Sequence, residues 1–352
     1  MIKDGIETVT LPLDFSDFSE IIDVRSPGEF EEDHLPGALN LPVLSDPERI
    51  EVGTLYTSDQ FQARRLGAAY ISHNVATYLD HQLADRDRSW APLIYCWRGG
   101  MRSRSMAVIL RSIGWRARVL EGGYKAWRNF LRADLARLLS TPKLHFHVLG
   151  GLTGSGKTRL LHALQQAGAQ VLDLEGLANH RGSLLGVVGE QPSQKRFESG
   201  IYQALQACDL SKPIFLEAES NRIGTVHIPS ALWQRLPEGR VHEVTMPLEA
   251  RAAYLLEDYQ HFPLAPDHLT NLLNVLRRIR GNEQVEAWQE QIQQGDWPGF
   301  VRSILLDHYD LAYRRPGEEG SVYQPPSNLI PLPDALPNTL RDAATRLFST
   351  MD

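Results

Sequence analysis

Phe146-His147-Val148-Leu149-Gly150-Gly151-Leu152-Thr153-Gly154-Ser155-Gly156-Lys157-Thr158 reads as a buried strand that runs straight into a glycine-rich loop. Its last eight residues fit G-x-x-x-x-G-K-[ST], and a helical pattern over 157–167 follows, which is the context that gives the motif meaning. Such a loop cradles phosphate oxygens on its backbone N–H groups, its lysine neutralises their charge, and its Ser/Thr hydroxyl reaches Mg²⁺. Gly151, Thr153, Gly154, Ser155, Gly156, Lys157 and Thr158 are therefore the expected diphosphate-binding set. The motif does not choose among ATP, GTP and other pyrophosphates. Further buried strands are expected at 171–174, 214–217 and 241–245. Mostly helical sequence follows from about 247, and the Pro-rich stretch 323–337 reads as an ordered loop or tail. Glu217, with Glu219 close behind, ends one of these strands, where a carboxylate can join Thr158 in holding Mg²⁺. Two polar loops, 179–183 and 191–194, suit ligand contacts, with His180 and Arg181 as candidates.

Upstream, strand and helix signals alternate again. Ile21-Ile22-Asp23-Val24, Leu93-Ile94-Tyr95 and Arg118-Val119-Leu120 read as buried strands. The span 102–113 has helical spacing, with Met106, Ile109, Leu110 and Ile113 on one face. The region 45–90 reads as a helical insertion, and 131–139 as a linking helix. Alternation of this kind means α/β architecture with parallel sheets, in two domains, 1–140 and 141–352.

Between one strand and the next helix lies Tyr95-Cys96-Trp97-Arg98-Gly99-Gly100-Met101-Arg102-Ser103. The glycines let the backbone curl so that N–H groups point inward, and the helix N-terminus adds its positive dipole end. Cys96 faces that potential, which suits a nucleophilic thiolate. Arg98, Gly99, Gly100 and Arg102 form the expected anion cradle around it. The other cysteine, Cys208, follows a helical run without basic neighbours and reads as core.

Composition narrows the classes. The chain has 352 residues, 42% hydrophobic and 22% charged, as in ordinary globular proteins. Two cysteines exclude a disulfide framework and a Cys-rich zinc site. No apolar run of membrane-spanning length and no signal-type N-terminus are evident, so a cytoplasmic location is expected. The net charge of −7 argues against a general nucleic-acid coat. From Cys96 to Lys143, however, eleven Lys or Arg residues stand against only Glu121 and Asp134. This stretch, Arg128 and Arg132 included, is expected to face an anionic partner.

Residues 10–135 resemble the rhodanese family. The resemblance is carried by Ile22-Asp23-Val24-Arg25, by His34-Leu35-Pro36-Gly37-Ala38-Leu39-Asn40-Leu41-Pro42, by the cysteine loop, and by Leu120-Glu121-Gly122-Gly123-Tyr124-Lys125-Ala126-Trp127. In that family the cysteine carries a transferred chalcogen atom. Asp23, Arg25 and His34 match its pattern, and Asp23 and His34 are read as structural supports. The whole chain is similar to the tRNA 2-selenouridine synthases. That likeness is carried by Asp46-Pro47-Glu48-Arg49 through Val52-Gly53-Thr54-Leu55-Tyr56, by the cysteine loop, and by Ala178-Asn179-His180-Arg181-Gly182-Ser183. It implies a rhodanese-like parallel-sheet domain followed by a P-loop NTPase-like α/β domain with a helical C-terminal part. It also implies an activity: geranylation of wobble 2-thiouridine in tRNA by geranyl diphosphate, then replacement of the S-geranyl group by selenium from selenophosphate. No tightly bound cofactor is expected; Mg²⁺ at the phosphate loop is the candidate ion. The residues alone leave two alternatives open. One is a rhodanese-type sulfurtransferase or Cys-x5-Arg phosphatase fused to an unrelated ATPase or kinase; the other is a non-catalytic RNA-binding module.

Overall fold

Short runs of β-branched and apolar residues become parallel strands in both halves of the chain, the central ones buried on both faces. The computed structural model describes residues 2–3, 5–182, 189–218, 220–258, 266–313, 316–319 and 321–350. Two compact units divide it, Met1–Ala136 and Arg137–Asp352.

In the first unit six strands lie in the order Ile2–Lys3, Ile6–Val9, Arg118–Leu120, Leu93–Tyr95, Ile21–Asp23, Leu39–Asn40. The first pair is antiparallel and the rest are parallel. Ile22, Ile94 and Val119 pair in register across the centre and are fully buried. The helical insertion consists of Asp46–Ser58 and Gln60–Asp80. Ser45 and Glu48 form a capping box at the start of the first of these helices, with Pro47 in its first turn. Helix Met101–Ile113 begins directly after the cysteine loop and ends at Gly114, whose φ of 109° closes it in the left-handed region. Met106 and Leu110 bury as expected, but Ile113 is exposed. The expected linking helix is longer than its apolar pattern suggested and runs Gly123–Leu139.

The second unit is built on five parallel strands in the order Asn328–Pro331, Arg240–Thr245, Phe146–Gly150, Ile214–Glu217, Gln170–Val171. Two expectations are corrected here. The Pro-rich stretch contributes the edge strand Asn328–Pro331, and Pro331 sits at its last position, where a missing N–H is tolerated. The strand expected at 171–174 stops at Val171, because Asp173 instead accepts the Gly176 N–H at 2.7 Å and caps a short helix, Leu174–Ala178. Leu149, Phe215, Val244 and Ile330 pack one face of the sheet against the helices Lys157–Gln166 and Pro337–Ser349. The helical part that follows the sheet's central strands has its own core around Leu273, Val285, Trp288 and Phe300. Among the described residues no helix is long and apolar enough to cross a membrane.

Candidate functional site

Cys96 follows the last residue of the Leu93–Tyr95 strand, and its loop folds back so that the sulfur receives two donors. The Gly100 N–H and the Ser103 hydroxyl both lie 3.3 Å from Sγ. The curl depends on two glycines. Gly99 has φ +64°, and a Cβ there would meet the Leu120 carbonyl oxygen at 2.6 Å. Gly123, in the turn after the next strand, has φ +55°, and a Cβ there would stand 2.2 Å from the Cys96 oxygen. That close approach lets the Tyr124 and Lys125 N–H groups bond the carbonyls of Cys96 and Trp97 at 2.9 and 3.0 Å. The Gly122-Gly123 doublet thus supports the cysteine loop from 27 residues downstream of Cys96.

The two arginines of the cradle differ. Arg98 is exposed. Arg102 is half-buried and held by Glu29 at 2.7 Å, which also binds Arg49 at 2.8 Å. Burial pushes the Glu29 carboxyl up, but the two guanidiniums more than reverse this and hold it below its ordinary value. Arg128 departs from the expectation of a basic surface: it is buried and reaches Asp33 at 3.4 Å. Asp23 and Arg25 form a fully buried pair at 2.6 Å, with the Arg25 guanidinium 3.9 Å above the Tyr124 ring. His34 stacks on Phe30 and bonds its carbonyl at 2.9 Å. These contacts make Asp23, Arg25 and His34 a scaffold for the loops.

The second unit opens a cavity of ≈ 920 Å³ over the glycine loop. Gly151, Thr153, Gly154, Ser155, Gly156, Lys157 and Thr158 all line it, as do His180 and Arg181. Lys157 Nζ donates to the carbonyls of Gly151 and Leu152 at 2.8 and 3.3 Å. Thr158 donates to Glu175 Oε2 at 3.1 Å. Glu217 is fully buried, and neither of its oxygens nor the buried Ser155 hydroxyl has a partner among the described residues. Burial first, and the nearby Glu175 and Asp173 carboxylates second, drive the Glu217 carboxyl well above its ordinary value, opposed by Thr158 and Lys157. An orphaned carboxylate beside the loop threonine is a donor set that fits Mg²⁺. That ion uses few protein oxygens and keeps water and phosphate for the rest. Among the described residues no cluster of three or more His, Cys, Asp or Glu side chains suited to a metal occurs. His180 is buried, which lowers its pKa, and its Nδ1 accepts the Gly182 N–H at 3.1 Å. Arg181 pairs with Asp258 at 2.5 Å. Glu219 and Ser183 lie outside the described residues.

Several groups at or behind the cavity wall had no signal in the sequence. The Tyr313 hydroxyl accepts the Gly151 N–H at 2.7 Å. Arg251, almost fully buried, bonds the Thr153 carbonyl at 3.0 Å and grips Asp310 with both terminal nitrogens. Trp233, Tyr254, Tyr309 and Tyr323 are among the cavity's lining residues; Tyr309 sits on a π-helical turn, Leu305–Tyr309, a feature frequent at functional sites. In the polar stretch 191–194 the glutamines hold backbone, and Gln194 also lines a smaller cavity. Gln191 bonds Ala178, Ile223 and Thr225, and Gln194 bonds both backbone groups of His227, so the pair clamps a small hairpin.

Comparison with known proteins agrees with these features. Residues 8–130 match the rhodanese-like domain, and residues 144–319, half of the chain, match the tRNA 2-selenouridine synthase AAA domain. A tRNA 2-selenouridine synthase of Nitrosomonas europaea is 39% identical over 68% of this chain and 63% of its own length, so the match spans a little under two thirds of that relative. Those of Marinobacter nauticus and Aeromonas salmonicida are 32% and 35% identical, over 83% and 85% of this chain and 87% of each relative. A glycine-supported cysteine loop in a rhodanese-like unit, a phosphate loop in the next, and relatives aligned through both place the chain in the tRNA 2-selenouridine synthase family.

Proposed function

We propose that the chain carries out two transfers on the wobble 2-thiouridine of tRNA. In the first, the base's sulfur attacks the ester carbon of geranyl diphosphate. The carbon–oxygen bond breaks, pyrophosphate leaves with the electron pair, and the base loses its N3 proton. In the second, selenium from selenophosphate takes the place of the geranylthio group at C2. Water takes up the phosphoryl group as phosphate, the chain departs as geranylthiol, and N3 regains a proton. The order is chemically sensible, because a thiocarbonyl is a poor leaving group and a thioether is a better one.

The observation that carries this reading is a phosphate loop whose cavity is lined in part by four aromatic side chains, a setting suited to a diphosphate that bears an apolar chain. The cradle from Gly151 to Thr158 would receive the diphosphate, and Lys157 would turn from its loop carbonyls to the charge developing on the leaving group. Thr158 and Glu217 would hold Mg²⁺, with Glu175 beside them, and the ion would supply further neutralisation of pyrophosphate. Cys96, with its two donors, suits the selenium-transfer step, and exposed Arg98 is available to an incoming selenophosphate. Arg102 reaches such an anion only by leaving Glu29. The test is mass spectrometry of nucleosides from 2-thiouridine tRNA incubated with the protein, geranyl diphosphate and selenophosphate. S-geranyl-2-thiouridine followed by 2-selenouridine is expected; ATP hydrolysis or thiosulfate turnover without either nucleoside would overturn the reading.

A further inference from the structure

Next to the phosphate-loop cavity lies a second one of ≈ 410 Å³. Asn221 and Trp233 line both. We infer that this smaller cavity is the seat of the reacting base: a pyrimidine extruded from a single-stranded RNA loop, stacked on Trp233 and read along its hydrogen-bonding edge by Asn221. The inference rests on reading the larger cavity as the site of a diphosphate ester.

Geometry comes first. A base stacked within an anticodon loop cannot bring its sulfur to a carbon held in a cleft, so enzymes that act on bases take them out of the stack. The sulfur must then approach to about 3–3.5 Å of that carbon. A seat for the base therefore has to adjoin the diphosphate cavity, and the cavity that shares two side chains with it meets that requirement.

The chemistry of the shared side chains fits a pyrimidine. Trp233 ends the short helix Ser230–Trp233, is half-buried, and meets the Tyr323 ring at 6.5 Å in an edge-to-face contact. Stacking on such a ring is the usual way a protein holds an unstacked base. Asn221 is exposed, and its side-chain amide has no hydrogen-bond partner among the described residues. That amide offers one acceptor and a donor pair. A 2-thiouracil offers the complement on adjacent atoms, the N3–H donor and the O4 acceptor. Pairing there leaves the C2 sulfur, on the other side of N3, free to face the diphosphate.

The seat is also held in place. Asn221 stands at the foot of the hairpin Arg222–Ile223/Val226–His227, and its carbonyl accepts the Ile228 N–H at 3.0 Å. Gln194 bonds the His227 N–H and carbonyl, each at 2.8 Å, and Gln191 bonds the hairpin's other strand and turn. The glutamines of the polar stretch thus fix the backbone that presents Asn221.

The test uses the full chain and two synthetic anticodon stem-loop RNAs, one with 2-thiouridine at the wobble position and one abasic there. The wild type is expected to bind the first about tenfold more tightly, the scale of one stacked base. Asn221→Ala and Trp233→Ala should each bring the two RNAs close to equal affinity and Trp233→Phe should keep most of the difference, with circular dichroism and thermal unfolding reporting that the variants are folded. Asn221 is exposed, so its variant keeps the test alive if Trp233→Ala fails to fold. Retained discrimination in a folded Asn221→Ala protein, or none in the wild type, overturns the inference. Failure of the underlying reading looks different: no S-alkylated nucleoside forms from geranyl diphosphate in the wild type, whatever the RNA affinities.

Discussion

Lys157 and Asp23 are the single residues whose loss should be most informative, for opposite reasons. Among the described residues Lys157 hydrogen-bonds only to loop carbonyls. Lys157→Ala should leave the folded state intact and remove a charge-assisted contact worth about 1.5–3 kcal/mol, or roughly 10–150-fold in pyrophosphate affinity. Calorimetric titration with pyrophosphate checks this, and wild-type affinity would remove the loop from the mechanism. Asp23 is the reverse case, since it makes no plausible contact with substrate but neutralises a guanidinium that is itself fully buried. Removing one member of such a pair strands the other, at a cost of about 3–5 kcal/mol. Urea unfolding of Asp23→Ala should register that loss in the first unit, whereas a shift below 1 kcal/mol would mean that water or a neighbour rescues Arg25.

At the scale of elements, the strands Phe146–Gly150 and Arg240–Thr245 place two histidines together inside the second unit. His147 Nδ1 and His242 Nε2 are 2.9 Å apart, and His242 bonds Asn328 on the edge strand. Burial first, then the charges of His242, Arg240 and His145, lowers the His147 pKa to about 4. His242 is lowered as well, mainly by burial. Between pH 6.5 and about 4 the unfolded chain binds protons at His147 that the folded chain refuses, so stability is full above pH 6.5 and falls as the pH drops through this window. The loss is on the order of 3 kcal/mol for His147. Denaturant unfolding at pH 7 and pH 4.5 should therefore show a smaller difference for His147→Phe than for the wild type; equal differences would mean that the pair does not titrate this way. The same strands mark how far the sequence could be read. Local signals were sufficient for Phe146–Gly150, Ile214–Glu217 and the glycine loop, because apolar run, glycines and lysine are contiguous. The edge strand at Asn328–Pro331 was hidden by its prolines, and its pairing with Arg240–Thr245 is a long-range contact that no local pattern encodes. Partners far apart in the chain were equally illegible: Glu29 for Arg102, Asp33 for Arg128, Tyr313 for Gly151, and Trp233 with Asn221 for the second cavity. A run of basic residues gives the charge, but not which guanidinium is already paired and buried.

Across the whole molecule, the Cys96 sulfur belongs to one compact unit and the phosphate loop to the other. In the proposed function the two chemistries divide in the same way: Gly151 to Thr158 would serve the alkylation, and Cys96 the selenium exchange. The prenyl step needs no thiolate from the protein, because its nucleophile is the sulfur of the RNA base. The exchange step needs no phosphate loop once the base is alkylated. A serine in place of Cys96 stays protonated at neutral pH and cannot act as the thiolate does. The most direct measurement is the ratio of S-geranylated to selenated nucleoside, by mass spectrometry, after incubating each variant with tRNA and both donors. Cys96→Ser is expected to accumulate S-geranyl-2-thiouridine and stop there, and Lys157→Ala, given tRNA already geranylated, to form 2-selenouridine. Loss of geranylation in a Cys96→Ser protein that remains folded and binds tRNA would contradict the division and point to one active site shared by both steps.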